Sequence, residues 1–176
     1  MEKYGGVWFD CDTVVLNSKA ASYFSDDEHE VIFFGRPAKR NVRICNIFAV
    51  QGANLMRLWA NEVRRKIIHF DPPLKAFWGY LGNSIIDPYV REHPEEILIH
   101  DMVPQMPELK VTGSGTKNYV KYYLQSKRHL IDIKSDMLLL HNNWTPARYK
   151  NATLDEIIHH DCTLSNILVE ALELKR

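Results

Sequence analysis

The chain has 176 residues, 45% of them apolar, so it can bury one sizeable core and we expect one domain. Lysine and arginine total 22, as do aspartate and glutamate, which excludes a strong net field for nucleic acid or an acidic membrane surface. No apolar run approaches the roughly 20 residues of a membrane span. The cysteines Cys11, Cys45 and Cys162 are far apart, which favours reduced thiols. We expect a cytoplasmic protein with no transmembrane segment and no nucleic-acid partner.

The first half of the chain alternates short strands with an amphipathic helix. In chain order, strands are predicted at 7–9 and 14–16, and a strand pair at 31–34 and 43–50. Apolar residues then recur every four positions and predict a helix at 53–68.

The second half continues the alternation. A shorter helix is predicted around 85–90, followed by strands at 97–99 and 137–140. Residues 104–118 carry two prolines and two glycines, which predicts an ordinary surface connection, with a mobile loop over a site as the alternative. A closing helix is predicted at 163–174, from its apolar face. The complete pattern predicts an α/β protein without a separate second domain.

Two aspartates follow the first apolar run, Val7-Trp8-Phe9, at Asp10 and Asp12. Strand side chains alternate between faces, so both carboxylates can point the same way, about 7 Å apart along the chain. Two carboxylates aimed at one point repel each other unless a cation or proton lies between them. Hard oxygen ligands suit Mg²⁺ or Mn²⁺, which complete their coordination with phosphates and waters. A solvated turn at a strand end has the same pattern, so the two aspartates alone do not distinguish a metal site from an ordinary turn.

Tyr4-Gly5-Gly6 directly precedes this strand. Glycines there let the backbone pass close to a ligand, because no Cβ stands in the way. The whole block resembles the YGG-apolar-DxD block of GT-A glycosyltransferases, and most closely that of glycosyltransferase family 32 and related capsular polysaccharide synthesis proteins. The resemblance implies that Asp10 and Asp12 bind Mn²⁺ or Mg²⁺. The donor-binding residues that it implies in this block are Tyr4, Gly5, Gly6 and Asp10.

A second block, SDMLLLHNNWTPARYK at 135–150, is an apolar strand that ends at His141 and is followed by Trp144. Its order is similar to that of many GT-A enzymes, in which a late histidine is a third metal ligand and a nearby tryptophan contacts the donor diphosphate. An imidazole is a competent Mn²⁺ ligand, and an indole N–H suits a phosphate oxygen. The resemblance implies His141 as a metal ligand and Trp144, Arg148 and Lys150 as donor-binding residues. Cations there would offset the charge of the leaving nucleotide.

The resemblance is weaker for the residues that would bind the sugar acceptor. Asn46 begins a stretch that resembles the family's strand after the DxD hairpin, and residues 78–83 take the place of its tryptophan-and-glycine segment. The resemblance implies that Asn46, Gly82 and Asn83 line the acceptor side of the cleft. The adjacent histidines His159 and His160 are expected to be surface residues.

A second family competes for the same aspartates. The stretch from Phe9 to Val15 resembles the nucleophile motif of haloacid-dehalogenase-type phosphatases, in which Asp10 would attack phosphorus and Asp12 would act as acid and base. Such enzymes also need a serine or threonine after a second strand and a late acidic pair, and the sequence shows neither. We therefore rank the phosphatase as the alternative.

One departure from the GT-A pattern affects the expected fold. In that family a nucleotide-binding half precedes the DxD, whereas only three residues precede Tyr4 here. We therefore expect residues 1–176 to be the C-terminal part of one GT-A domain, with a GT-A-like mixed sheet and flanking helices but without the N-terminal nucleotide-binding half. Such a chain would hold its donor weakly, and its exposed sheet edge would favour self-association. A non-catalytic glycosyltransferase remnant is a further alternative.

The function that the resemblance implies is metal-dependent transfer of a sugar from a nucleotide-diphosphate-sugar donor to a glycan acceptor. It also implies a role in capsular or cell-surface polysaccharide synthesis, and a peripheral association with membranes. No catalytic nucleophile is predicted, because retaining GT-A enzymes offer no obvious one to assign.

Overall fold

The structure is a computed structural model that describes residues 1–69 and 79–173. Its strands, in chain order, are β1 (Gly6–Phe9), β2 (Thr13–Val15), β3 (Val31–Arg36), β4 (Asn41–Ala49), β5 (Ile97–Asp101) and β6 (Met137–Leu139). Its α-helices are α1 (Asn54–Ile68), α2 (Asn83–Glu92), α3 (Glu108–Val111), α4 (Thr116–Tyr119), α5 (Leu130–Ile133), α6 (Ala147–Lys150), α7 (Leu154–His159) and α8 (Thr163–Ala171). One π-helical turn, Val120–Leu124, directly follows α4, and 3₁₀ turns lie at Ser18–Phe24, Pro37–Lys39 and Asn142–Trp144.

The predicted α/β class is confirmed, and each predicted strand and helix is present with boundary shifts of a few residues. The predicted end of the last helix, residue 174, lies outside the described residues. The segment 104–118, predicted as a surface connection, contains α3 and most of α4, and Gln105, Met106 and Glu108 in it are buried. Within the described part of the chain, no helix is both long and apolar enough to cross a membrane.

The chain folds into two compact units. The first consists of Met1–Asp10 and Ala21–Met102, and the second of Cys11–Ala20 and Val103–Arg176. The expectation of a single domain stays a prediction, because compact units can be two domains or two lobes of one domain.

The first unit is built on a mixed four-stranded sheet in the order β1-β4-β3-β5. Strand β4 pairs antiparallel with both β1 and β3, whereas β5 runs parallel to β3. Residues Val31, Ile32, Phe33 and Phe34 of the inner strand β3 have no exposed surface. A strand covered on both faces is a continuous apolar run rather than an alternating one, as this sequence shows.

Helices α1 and α2 supply the rest of the first core. Leu55 and Met56 of α1 and Ile86 and Val90 of α2 join the buried cluster formed by the strands. Burying one such side chain fully contributes roughly 1.5–3 kcal/mol, so these contacts outweigh the helices' own weak propensities. The amphipathic pattern that predicted both helices is therefore the pattern that buries them.

Strand β1 is an edge strand of this sheet, and all four of its residues are exposed. Gly5, just before it, has φ +68°, and a Cβ there would lie 2.6 Å from the carbonyl oxygen of Ala49. Gly6 has φ +99°, but a Cβ there would meet nothing within 4 Å. The two glycines of the YGG block therefore differ, since only Gly5 is required by close backbone packing.

The second unit contains a two-stranded antiparallel sheet, β2 with β6, and a cluster of short helices. Its core combines the buried tyrosines of α4 and the π-helical turn with Leu138 of β6 and Ile167 of α8. Helix α8 buries five consecutive residues, Thr163–Ile167, including three polar ones. The three polar side chains bond to backbone carbonyls, as in the bond of Ser165 Oγ to the oxygen of Ile158 at 2.7 Å. These hydrogen bonds therefore offset the cost of burying the three polar side chains.

We predict that Gly5→Ala destabilises the protein more than Gly6→Ala. An alanine at a positive φ lowers the free energy of unfolding by about 1–2 kcal/mol, and this loss applies to both variants. Gly5→Ala must also displace the backbone near Ala49, and we expect at least about 2 kcal/mol of further loss from this overpacking. Urea unfolding of both variants measures the difference in free energy of unfolding. Equal losses would mean that the close approach at Gly5 is not a structural constraint.

Candidate functional site

The β2–β6 ladder brings together two distant parts of the second unit. Its register pairs Thr13 with Leu139 and Val15 with Met137. The ladder continues by one further bond, because the Leu140 N–H donates to the carbonyl oxygen of Asp12 at 2.8 Å. Asp12 therefore lies beside the residue that precedes His141, at the end of the ladder where β2 begins and β6 ends.

His141 and Trp144 form one tight turn. The Trp144 N–H donates to the carbonyl oxygen of His141 at 2.9 Å, which closes the 3₁₀ turn Asn142–Trp144. The imidazole and indole ring centroids are 3.9 Å apart, with their planes tilted by 38°. The His-x-x-Trp spacing noted in the sequence is thus the spacing at which a 3₁₀ turn places two side chains on one side.

Tyr119 packs against both rings. Its ring centroid lies 6.4 Å from that of His141 and 6.1 Å from that of Trp144. The Tyr119 and Thr145 hydroxyls are 3.3 Å apart, and the Thr145 hydroxyl donates to the carbonyl oxygen of His141 at 3.3 Å. This tyrosine therefore fixes the turn that carries the histidine.

Asp12 interacts electrostatically with the same tyrosine, Tyr119. Burial raises the pKa of the Tyr119 hydroxyl, and the negative charges of Glu108 and Asp12 raise it further. The Asp12 carboxylate is therefore close enough to this group to be felt electrostatically. We name Asp12, Tyr119, His141, Trp144 and Thr145 the His141 cluster.

The His141 cluster offers one carboxylate and one imidazole to a metal ion. These ligand types suit Mn²⁺, and Mg²⁺ is commonly held by one or two carboxylates together with substrate phosphates. The donor set therefore fits an ion that takes its remaining ligands from a bound diphosphate and water. The metal site predicted from Asp10, Asp12 and His141 stays a prediction.

Asp10 belongs to the first unit, whereas Asp12 belongs to the second. The Asp10 carboxylate accepts a bond from the indole N–H of Trp8 at 3.2 Å, and its backbone N–H donates to the oxygen of Cys45 at 2.8 Å. Burial raises the pKa of the Cys45 thiol to about 11, and the nearby charge of Asp10 adds to this rise. Asp10 thus lies at the end of β1, beside β4.

The predicted acceptor-side residues all lie in the first unit. Asn46 is fully buried on β4, opposite Phe9. Gly82 is buried at the start of α2, and the Asn83 amide donates to the oxygen of Val42 and to the Asp87 carboxylate, each at 3.0 Å.

These placements give Asn46 and Asn83 structural roles in the first unit, and the proposed acceptor contacts stay predictions. Trp78, from the same sequence segment, lies outside the described residues. Tyr4, predicted to contact the donor, is 75% exposed, and the Lys3 ammonium lies 5.0 Å from its ring centroid.

The predicted donor-binding cations, Arg148 and Lys150, are both exposed on the short helix α6. The Arg148 guanidinium donates to the Tyr149 hydroxyl at 3.3 Å and lies 4.8 Å from that ring's centroid. Arg148 also lines a cavity with Tyr149 and His160. His159 and His160 are both exposed, as predicted.

Glu108 is the functional candidate that the sequence did not indicate. It has no exposed surface, and its Oε2 atom accepts a bond from the Tyr123 hydroxyl at 3.0 Å. Its Oε1 atom is buried and has no hydrogen-bond partner among the described residues. Burial raises the pKa of this carboxyl to about 7, and the bond from Tyr123 lowers it only partly. A lone glutamate in a segment with prolines and glycines gives no signal of such burial.

A second group of metal-ligand side chains lies in the first unit. Ligand atoms of His93, Glu95 and Glu96 are all within 4.8 Å of one another. The Tyr89 ring stacks on the His93 ring at 4.1 Å, and its hydroxyl donates to Glu96 at 2.5 Å. His93 lies 3.6 Å and 3.8 Å from the two carboxylates, which are ion-pair distances. Contacts among its own side chains therefore hold this group together in the structure.

Comparison with known proteins gives no relative for this arrangement. No protein-family model, no curated protein and no solved structure matches the chain.

We predict that stability falls as pH rises from about 4.5 to about 7 because of Glu108. Its pKa is raised from 4.5 to about 7 in the folded state, so the folded state keeps a proton that the unfolded state releases. The stability contribution is therefore present below pH 4.5 and lost through pH 7, a difference of about 3 kcal/mol. Denaturant unfolding across this range measures it.

The variant Glu108→Gln stays neutral and should remove this part of the pH dependence, so that it gains stability over wild type as pH rises. The exposed Glu92 supplies the isosteric control, Glu92→Gln, which should leave the pH profile unchanged. Parallel profiles for wild type and Glu108→Gln would show that Glu108 does not ionise differently in the two states.

Proposed function

We propose that the chain takes part in metal-dependent transfer of a sugar from a nucleotide-diphosphate-sugar donor to a glycan acceptor. The observation that carries the proposal is the β2–β6 ladder, which places Asp12 beside the His141–Trp144 turn. Asp12 and His141 belong to motifs about 130 positions apart that were assigned to one metal site by resemblance alone. Such a site requires both residues close together in one unit, and the backbone of Asp12 pairs with Leu140, the residue before His141.

In this proposal Asp12 and His141 hold Mn²⁺ or Mg²⁺. A bound divalent cation offsets the charge that develops on the diphosphate as the sugar leaves. The protein's own part is to hold carboxylate and imidazole at the end of a fixed ladder, so that little reorganisation is needed on binding.

Trp144 supports the proposal through its hydrogen-bonding capacity. Within residues 1–69 and 79–173, its indole N–H has no hydrogen-bond acceptor, while its ring is held against His141 and Tyr119. A partly exposed indole N–H in a fixed position is a single donor suited to a phosphate oxygen. We assign it to the donor diphosphate.

The finer fold assignment belongs to the same proposal. The mixed sheet with flanking helices agrees with a GT-A-like domain, and many other folds share these features. The exposed edge strand β1 would supply the surface for self-association. Synthesis of capsular or cell-surface polysaccharide in the cytoplasm, with peripheral membrane association, completes the proposed role.

The metal site is tested by titrating the protein with Mn²⁺ and following the indole N–H resonances by NMR. Mn²⁺ is paramagnetic and broadens nearby signals, so bound metal at His141 should erase the Trp144 signal first. Asp12→Asn and His141→Gln should each weaken Mn²⁺ binding by at least about tenfold, as expected for loss of a ligand at a two-ligand site.

Asp155→Asn is the matched control, because this side chain is 84% exposed in the same unit and lies outside the His141 cluster. It should bind Mn²⁺ as wild type does. A sharp Trp144 signal at a Mn²⁺ concentration that broadens other resonances would contradict the assigned site.

A further inference from the structure

A small cavity lies between α6 and α7 in the second unit. Its volume is about 330 Å³, and its lining includes Arg148, Tyr149, Asn151, Glu156 and His160. None of the His141 cluster lines it. The volume is at the low end of small-molecule sites, so it suits a ligand of about one sugar ring with a phosphate rather than a complete nucleotide sugar.

Three of these side chains are joined in a hydrogen-bonded row. Arg148 Nη2 donates to the Tyr149 hydroxyl at 3.3 Å, and that hydroxyl lies 3.1 Å from Nε2 of His160. The Tyr149 hydroxyl donates to Nε2 of His160 or accepts from it, depending on the tautomer of the imidazole. Tyr149 is only 8% exposed and its ring meets the His160 ring edge-on, so the row is held in place.

The row is well supplied with donors for an anion. Within the described residues, the Tyr149 hydroxyl is the one acceptor bonded to the Arg148 side chain, so most of the five N–H groups of the guanidinium are available. A guanidinium binds phosphate through paired N–H donors, which is stronger than binding by a point charge. An adjacent phenol and imidazole can complete the contact.

Glu156, which also lines the cavity, carries the opposite charge. Glu156 completes the capping box of α7 with the N-cap residue Thr153, and its Oε2 atom accepts from the backbone N–H and hydroxyl of Thr153 at 2.7 and 2.9 Å. These bonds lower the pKa of its carboxyl. The carboxylate therefore stays charged and repels a second phosphate, while its oxygens and the Asn151 amide suit hydroxyl groups.

We propose that this cavity binds a phosphorylated monosaccharide. The phosphate lies against Arg148 and the Tyr149–His160 pair, and sugar hydroxyls bond to Asn151 and Glu156. The negative charge of Glu156 disfavours a diphosphate. This site shares Arg148 with the donor-binding residues predicted from the sequence, but it uses neither the His141 cluster nor a metal ion.

The test is a calorimetric titration of the full chain in the absence of divalent metal, with glucose 6-phosphate, inorganic phosphate, glucose and uridine diphosphate as separate probes. Glucose 6-phosphate should bind most tightly, inorganic phosphate more weakly, and glucose without saturation. Because hydrogen bonds to a charged group contribute more than about 1.4 kcal/mol, Arg148→Gln should weaken glucose 6-phosphate binding at least about tenfold. Tyr149→Phe should weaken it less.

Lys121→Gln is the control, because it removes one exposed positive charge of the same unit outside the cavity. It should change the affinity by less than about twofold, as expected for a screened surface charge. A folded Arg148→Gln variant that binds glucose 6-phosphate as wild type does would overturn the site.

The ligand assignment fails separately if uridine diphosphate or inorganic phosphate binds as tightly as the sugar phosphate. A failure of either kind leaves the Mn²⁺ titration at His141 unaffected, so the two proposals are distinguished.

Discussion

The antiparallel ladder between Thr13–Val15 and Met137–Leu139 is the constraint on which the candidate site depends. It is only three residue pairs long, but backbone bonds extend it at both ends, from Leu16 to Asp136 and from Leu140 to Asp12. Closing so long a stretch of chain costs entropy, which the packing of β6 into the tyrosine-rich core must offset. Weakening this ladder would therefore disturb the second unit and the site at once.

Tyr119 connects the stability of the second unit to its candidate chemistry. On one side its ring is 4.8 Å from Tyr123, which holds the buried Glu108 carboxyl. On the other side it supports the turn of His141 and Trp144. A buried carboxyl with an unsatisfied oxygen is costly, and such groups are found more often where function needs them than in ordinary cores. Ionisation of Glu108 would place a charge behind the turn that carries the proposed metal ligand.

The longer elements could be predicted from the sequence, because apolar periodicity continues long enough in α1, and in the runs of β3 and β4, to identify them. The helices α3, α5 and α6 could not, since four residues are barely one turn and show no period. Contacts between residues far apart in the chain could not be predicted from the sequence either. Neither the pairing of β2 with β6 nor the burial of Glu108 has a local signal, and the row of Arg148, Tyr149 and His160 depends on how α6 meets α7. The motifs at Asp12 and His141 can be related by resemblance, and the fold adds the strand pairing that brings their backbones together.

The most direct test of the proposed chemistry compares two reactions of the purified chain with Mn²⁺. One is consumption of a panel of nucleotide sugars, and the other is phosphate release from a generic aryl phosphate. A nucleotide-sugar enzyme consumes a donor in a Mn²⁺-dependent manner that Asp12→Asn and His141→Gln abolish, and it leaves the aryl phosphate intact. Metal-dependent release of phosphate from the aryl ester, abolished by Asp10→Asn, would contradict the transferase and establish the phosphatase instead.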